Sequence, residues 1–143
     1  MKKIVLISGC SSGIGKSLAM KMASQGHTVF AGARNITDLK GLGADIIPVK
    51  LDVNNDEDVK NAMTCIEKRC GHLDILINNA GYGAMGPLAE VPISQVQAQF
   101  STNVFAPLSM AQQALPLLRK SKKSLIVNIG SSAGIFTIPI SGV

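Results

Sequence analysis

With 143 residues, 46% of them hydrophobic and 16% charged, the chain has the size and composition of one globular domain, not of a disordered segment. Aromatic residues make up 3% and Trp is absent, so the core must be aliphatic. The net charge is +5, but the cations are scattered along the sequence. The one dense run, Arg119-Lys120-Ser121-Lys122-Lys123, has no interleaved aromatics and reads as a solvated helix end rather than a nucleic-acid surface.

In chain order, Met1-Lys2-Lys3 precedes a four-residue apolar run, Ile4-Val5-Leu6-Ile7, too short for a signal peptide. A continuous β-branched and Leu run predicts a strand buried on both faces. A helix follows over 13–25, with Leu18, Ala19, Met22 and Ala23 on one face and Gly26 suited to the position after its end. Residues 27–33 predict a second strand, 36–42 a short helix and 46–53 a third strand. Asn54 or Asn55 caps a helix over 56–70, whose first turn holds Asp56, Glu57 and Asp58. Residues 73–78 predict a fourth strand and 82–93 a Gly- and Pro-rich loop. A long helical region over 94–119 follows, kinked or divided at Pro107 and Pro116. A fifth strand over 124–129 leads into a loop that runs to Val143. Strands alternating with helices imply an α/β fold: one doubly wound parallel sheet of about five strands, of the Rossmann type, spanning residues 1–143. No stretch is apolar and long enough to span a membrane. Cys10, Cys65 and Cys70 are an odd set without a Cys-x-x-Cys pair, which speaks against a disulfide framework and a zinc site and for a reduced, cytoplasmic protein.

Between the first strand and first helix lies Ser8-Gly9-Cys10-Ser11-Ser12-Gly13-Ile14-Gly15. Its glycines at 9, 13 and 15 depart from the G-x-G-x-x-G spacing but serve the same ends: a tight turn, close backbone approach to a pyrophosphate, and close packing of helix on strand. The helix amino terminus adds oriented N–H donors and a partial positive charge. About 20 residues on, dinucleotide folds carry an acid for a ribose 2′-hydroxyl or an Arg for a 2′-phosphate. Here the second strand ends Gly32-Ala33-Arg34-Asn35, with no acid. Arg34, with Ser12 from the glycine turn, therefore favours NADP over NAD.

Four segments in this order, Ser8 to Gly15, Leu51-Asp52-Val53, Asn78-Asn79-Ala80-Gly81 and Asn128 to Ser132, resemble the short-chain dehydrogenase/reductase family. The Asn-Asn-Ala-Gly tetrapeptide at a strand end is the most specific of them. Within the family, Gly9 to Gly15 and Ala80 to Gly83 look most like hydroxysteroid, retinol and acyl-dihydroxyacetone-phosphate reductase members. The resemblance implies that Gly9, Ser11, Ser12, Gly13, Ile14 and Gly15 bind the pyrophosphate. It implies that Asp52 accepts from the adenine amino group with Val53 beside it, and that Asn79, Ala80 and Gly81 line the ribose and stabilise the central strand. Asn103 matches the family's mid-helix Asn that holds a proton-relay water. Ser131 matches the Ser that hydrogen-bonds the substrate oxygen, with Ser132 its rival by one position. The implied reaction is hydride transfer between a nicotinamide cofactor and a small secondary alcohol or ketone, lipid-like or steroid-like.

The family's proton donor is a Tyr followed four residues later by Lys. The one Tyr here, Tyr82, has no Lys at that spacing, and the resemblance puts the missing Tyr at position 144, one beyond Val143. The chain alone is therefore expected to have little or no dehydrogenase activity. Two further readings remain open: a non-catalytic NADP-binding or regulatory protein, and the N-terminal half of a split enzyme. The fifth strand would be an exposed edge, and the apolar helix face of Val104, Leu108 and Leu115 would lack its packing partner. Association with a second copy, or with a complementing C-terminal segment, is the corresponding expectation.

Overall fold

The computed structural model describes residues 1–87 and 89–136. Five strands, β1 (Ile4–Ile7), β2 (Thr28–Ala33), β3 (Ile46–Lys50), β4 (Ile75–Asn78) and β5 (Leu125–Asn128), form one sheet in the order β3-β2-β1-β4-β5. Every pairing is parallel. The helices are α1 (Gly13–Ser24), α2 (Asp56–Cys70), α3 (Ile93–Phe100) and α4 (Ala106–Leu118).

Side chains of a strand alternate between faces, so β1 serves two cores at once. Leu6 packs with Phe30 and Leu76 against Val59 and Ile66 of α2 and Met110 and Leu117 of α4. Val5 and Ile7 pack with Val29, Ala31 and Ile77 against Ala19 of α1 on the other face. A strand buried on both faces has no polar side to display, which is why the apolar run is unbroken. Each fully buried aliphatic or aromatic side chain contributes roughly 1.5–3 kcal/mol.

The chain winds outward from β1 through β2 to β3, then returns to lay β4 on the other side of β1. This reversal opens a crevice above the carboxyl ends of β1 and β4, the usual place for a ligand in an open α/β sheet.

Several boundaries differ from the sequence-based expectation, the fourth strand starting at Ile75 rather than residue 73 among them. The third strand ends at Lys50 rather than residue 53. The Asp58 carboxylate accepts from the Asp52 amide (3.0 Å), turning the chain out of the ladder after Leu51. The region over 94–119 is divided by a π-helical turn, Ser101–Phe105, in which the Ala106 amide reaches back to the Ser101 carbonyl. Pro107 accounts for it: its ring would strike the carbonyl of residue 103 in an α-helix, and it has no N–H to give that carbonyl. Pro116, by contrast, is accommodated inside α4 without dividing it. The short helix expected over 36–42 is a single 3-10 turn, Ile36–Leu39. The closing loop contains another 3-10 turn, Ser132–Gly134; its remainder from residue 137 lies outside the described residues.

Candidate active site and cofactor cleft

The crevice is a cleft of about 800 Å³ lined by the glycine turn, the ends of β2 and β4, the segment after β3, and Thr102. At its base the turn is held by β4. Ser8, 1% exposed, accepts hydrogen bonds at Oγ from the Asn79 and Ala80 amides, both at 3.0 Å. Asn79 returns the tie: its Nδ2 donates to the carbonyls of Ser8 (3.0 Å) and Gly9 (3.1 Å). Gly9 adopts φ +72°, and a Cβ there would lie 2.9 Å from Ala80 Cα. A Cβ on buried Gly15 would collide with the Gly9 carbonyl and the Asn79 amide, so α1 starts directly against the turn.

The two helix starts that flank the cleft are built differently. Asn55 caps α2, accepting from the Glu57 (2.9 Å) and Asp58 (3.1 Å) amides, and three acids occupy the first turn. Ser12 begins α1 without a side-chain cap, and no acid occupies that first turn. The donors and positive dipole end of α1 thus face the cleft uncompensated, and nothing within 4 Å occupies the space beside Gly13. That arrangement fits a pyrophosphate.

At the other end of the cleft, Asp58 holds the backbone of Asp52, while the Asp52 carboxylate accepts from the Asn54 amide (3.0 Å). The Asp52 amide, then the Lys50 ammonium (3.1 Å), hold the Asp58 carboxyl below its ordinary range, with burial opposing them. Asn54 Nδ2 donates to Thr102 Oγ1 (2.8 Å), joining the segment after β3 to the π turn. Arg34, exposed at the end of β2, lines the cleft with Ser11 and Ser12. Among the described residues the ion pairs are made by Lys3, Lys50, His72 and Lys120, not by Arg34.

Asn103 lies in the π turn, but its amide is committed to the loop after β4. Its Oδ1 accepts from the Tyr82 amide (3.1 Å) and its Nδ2 donates to the Tyr82 carbonyl (2.7 Å). A second tie, between the Ala84 amide and Gln99 Oε1, seats the same loop on α3. The side chain of Asn103 therefore anchors a loop, with both its Oδ1 and its Nδ2 engaged by the Tyr82 backbone. Ser131 lies beyond the carboxyl end of β5, exposed, with Oγ accepting from the Ala133 amide (3.1 Å).

Eleven of the twelve expected cofactor-binding residues line this one cleft; Gly15 sits beneath it as packing. Ser131 and Asn103 lie outside its lining, Asn103 touching it through Tyr82. Sequence reasoning missed Ser8, Asn54, Asp58 and Thr102. Asn54 and Asp58 flank the helix cap at Asn55, a signal already in view, whereas Thr102 becomes visible only once α3 is placed across the cleft. Among the described residues there is no group of three His, Cys, Asp or Glu side chains suited to a metal, and no helix long and apolar enough to cross a membrane.

The family model described as short chain dehydrogenase matches residues 3–143. The chain is 36% identical to a 3-ketodihydrosphingosine reductase of Bacteroides thetaiotaomicron over 98% of this chain and 51% of that protein. It is 34% identical to human retinol dehydrogenase 8 over 93% of this chain and 45% of that protein. A solved short-chain dehydrogenase from Streptomyces avermitilis superposes with a TM-score of 0.89 at 29% identity, covering 96% of this chain and 52% of that one. The chain thus spans about half the length of these relatives. Sheet order, glycine turn and family match agree: the chain belongs to the short-chain dehydrogenase family.

Proposed function

We propose that this chain is the cofactor-binding part of an NADP-dependent oxidoreductase that interconverts a secondary alcohol and a ketone. The observation that carries the cofactor choice is Arg34. It stands at the end of β2, in the same cleft as the uncapped start of α1, with no carboxylate at that strand end to receive a 2′-hydroxyl. Its guanidinium and the hydroxyls of Ser11 and Ser12 would hold the 2′-phosphate as charge-assisted hydrogen bonds. The amides at Gly13 and Ile14 would take the pyrophosphate, Asp52 the adenine amino group, and Asn79 to Gly81 the ribose. When bound, the nicotinamide supplies the hydride. Ser131 would hydrogen-bond the substrate oxygen, and Asn103 would fix the loop at Tyr82 that borders the substrate.

Neither Asn103 nor Ser131 readily gives up and recovers a proton near neutral pH. With no Tyr followed four residues on by Lys, the 143-residue chain is expected to bind cofactor without turnover. The names of the reductase and retinol dehydrogenase relatives support an apolar, lipid-like substrate. The exposed β5 residues Leu125 and Ile126 and the helical Val104 and Leu108 support association with a second copy or a C-terminal segment.

The test is titration of the chain with NADPH and NADH, followed by Arg34→Ala. NADPH should bind more tightly in the parent chain. The variant should lose about 10- to 100-fold in NADPH affinity with NADH unchanged, the worth of one hydrogen bond to a charged group. Equal affinities in the parent chain would overturn the cofactor choice.

A further inference from the structure

The chain's net charge is not spread over its surface. Because the strands are parallel, the segments that precede them meet at one end of the sheet, opposite the cofactor cleft. The segments before β1 and β5 and the ends of α2 and α4 bring eight of the fourteen Lys and Arg residues to that end. Two of the nine carboxylates accompany them, and each already has a cation: Asp74 pairs with Lys3 (3.2 Å) and Glu67 with Lys120 (2.8 Å). The Lys3 ammonium also donates to the Lys123 carbonyl (3.4 Å), which places the β1 and β5 lead-ins side by side. Ile4 and Cys70 pack against the same core cluster, so the β1 lead-in and the end of α2 lie at the same end of that core as well.

Six exposed cations remain without a carboxylate partner among the described residues: Lys2, Lys68, Arg69, Arg119, Lys122 and Lys123. Farther along the same end, toward β3, Lys21 and Asp45 offset one another. The rest of the molecule carries slightly more acid than base.

Helix dipoles explain part of this. Lys68, Arg69 and Arg119 stand at helix carboxyl ends, where cations are favourable. Lys2, Lys122 and Lys123 stand on no helix. The patch covers an end of the sheet rather than a groove, and none of its residues is aromatic, so it offers nothing on which a nucleobase could stack. We infer that this end docks the protein on an anionic lipid surface, with the cofactor cleft facing away from the bilayer. Paired phosphate-bearing headgroups are the complement of six clustered point charges, and the attraction falls off within a Debye length.

The test is co-sedimentation of the chain with phosphatidylcholine vesicles, with and without phosphatidylserine. Partitioning should require phosphatidylserine and fall steeply with added salt. Lys122→Gln and Lys123→Gln should each weaken it about fivefold and together about 25-fold, as expected per lysine near such a surface. Lys40→Gln with Lys60→Gln, which changes the net charge equally elsewhere, should leave it unchanged. Equal binding to neutral vesicles, an equal loss in the control pair, or tighter binding to duplex DNA than to the anionic vesicles would each overturn the proposal.

Discussion

Ser8→Ala removes one oxygen and orphans two backbone donors. The Ser8 hydroxyl is the acceptor for the Asn79 and Ala80 amides at 3.0 Å each, and it lies 1% exposed at the carboxyl end of β1. Each buried donor left without a partner costs about 1–3 kcal/mol. Asn79 and Ala80 are half-buried, so water recovers part of that and the expected loss falls near the low end, about 2–3 kcal/mol in total. Against a typical stability of ~5–15 kcal/mol that is a large fraction. Urea unfolding followed by circular dichroism should show an earlier midpoint at unchanged slope. Ser8→Thr, which keeps the hydroxyl, should lose much less. On the proposed reading, in which the glycine turn would receive the pyrophosphate, the same substitution to Ala should also weaken NADPH binding, because that turn hangs from β4 through Ser8. A loss under about 0.5 kcal/mol would refute the reasoning, since that is the scale of an ordinary surface change.

Asn54→Ala breaks the bond to Thr102 across the cleft and should weaken NADPH binding about two- to tenfold, with Thr102→Val adding nothing further in the same background; additive losses measured by titration calorimetry would mean the two residues act separately. Burial, the largest influence on the Asp74 carboxyl, would raise its pKa, but hydrogen bonds from Ser121 Oγ (2.6 Å), the Ile4 amide (2.8 Å) and Lys3 together hold it below the ordinary value. Its stabilisation is therefore complete above the unfolded pKa of about 4 and lost as pH falls through the lower folded value. Unfolding curves across that range should show a shallower acid dependence in Asp74→Asn than in the parent chain. Burial pushes the Cys10 thiol up to about 11, with the Gly32 backbone opposing, so iodoacetamide at neutral pH should label Cys10 only on unfolding; mass spectrometry showing prompt labelling of folded protein would contradict the buried position.

Much of the architecture was legible because it depends on local pattern. The unbroken apolar run at Ile4 to Ile7 announces a strand buried on both faces, and the glycines at 9, 13 and 15 announce a backbone that must turn tightly and approach closely. The cap at Asn55 and the acids after it mark the start of α2 within a residue. Boundaries set by distant partners were not legible. The third strand stops at Lys50 because a carboxylate eight residues away, Asp58, takes an amide that the strand would otherwise offer.

The sequence by itself determined the α/β alternation, the glycine turn, the cation at the end of β2 and the family to which they belong, because each is written in residues close together along the chain. Tertiary structure alone decided how Ser8 and Asn79 tie the turn to β4 across some seventy positions, that Asn103 spends its amide on Tyr82, and that the cations of four separate segments share one end. These are outcomes of packing parallel strands side by side, which fixes neighbours by sheet order and register rather than by distance along the chain.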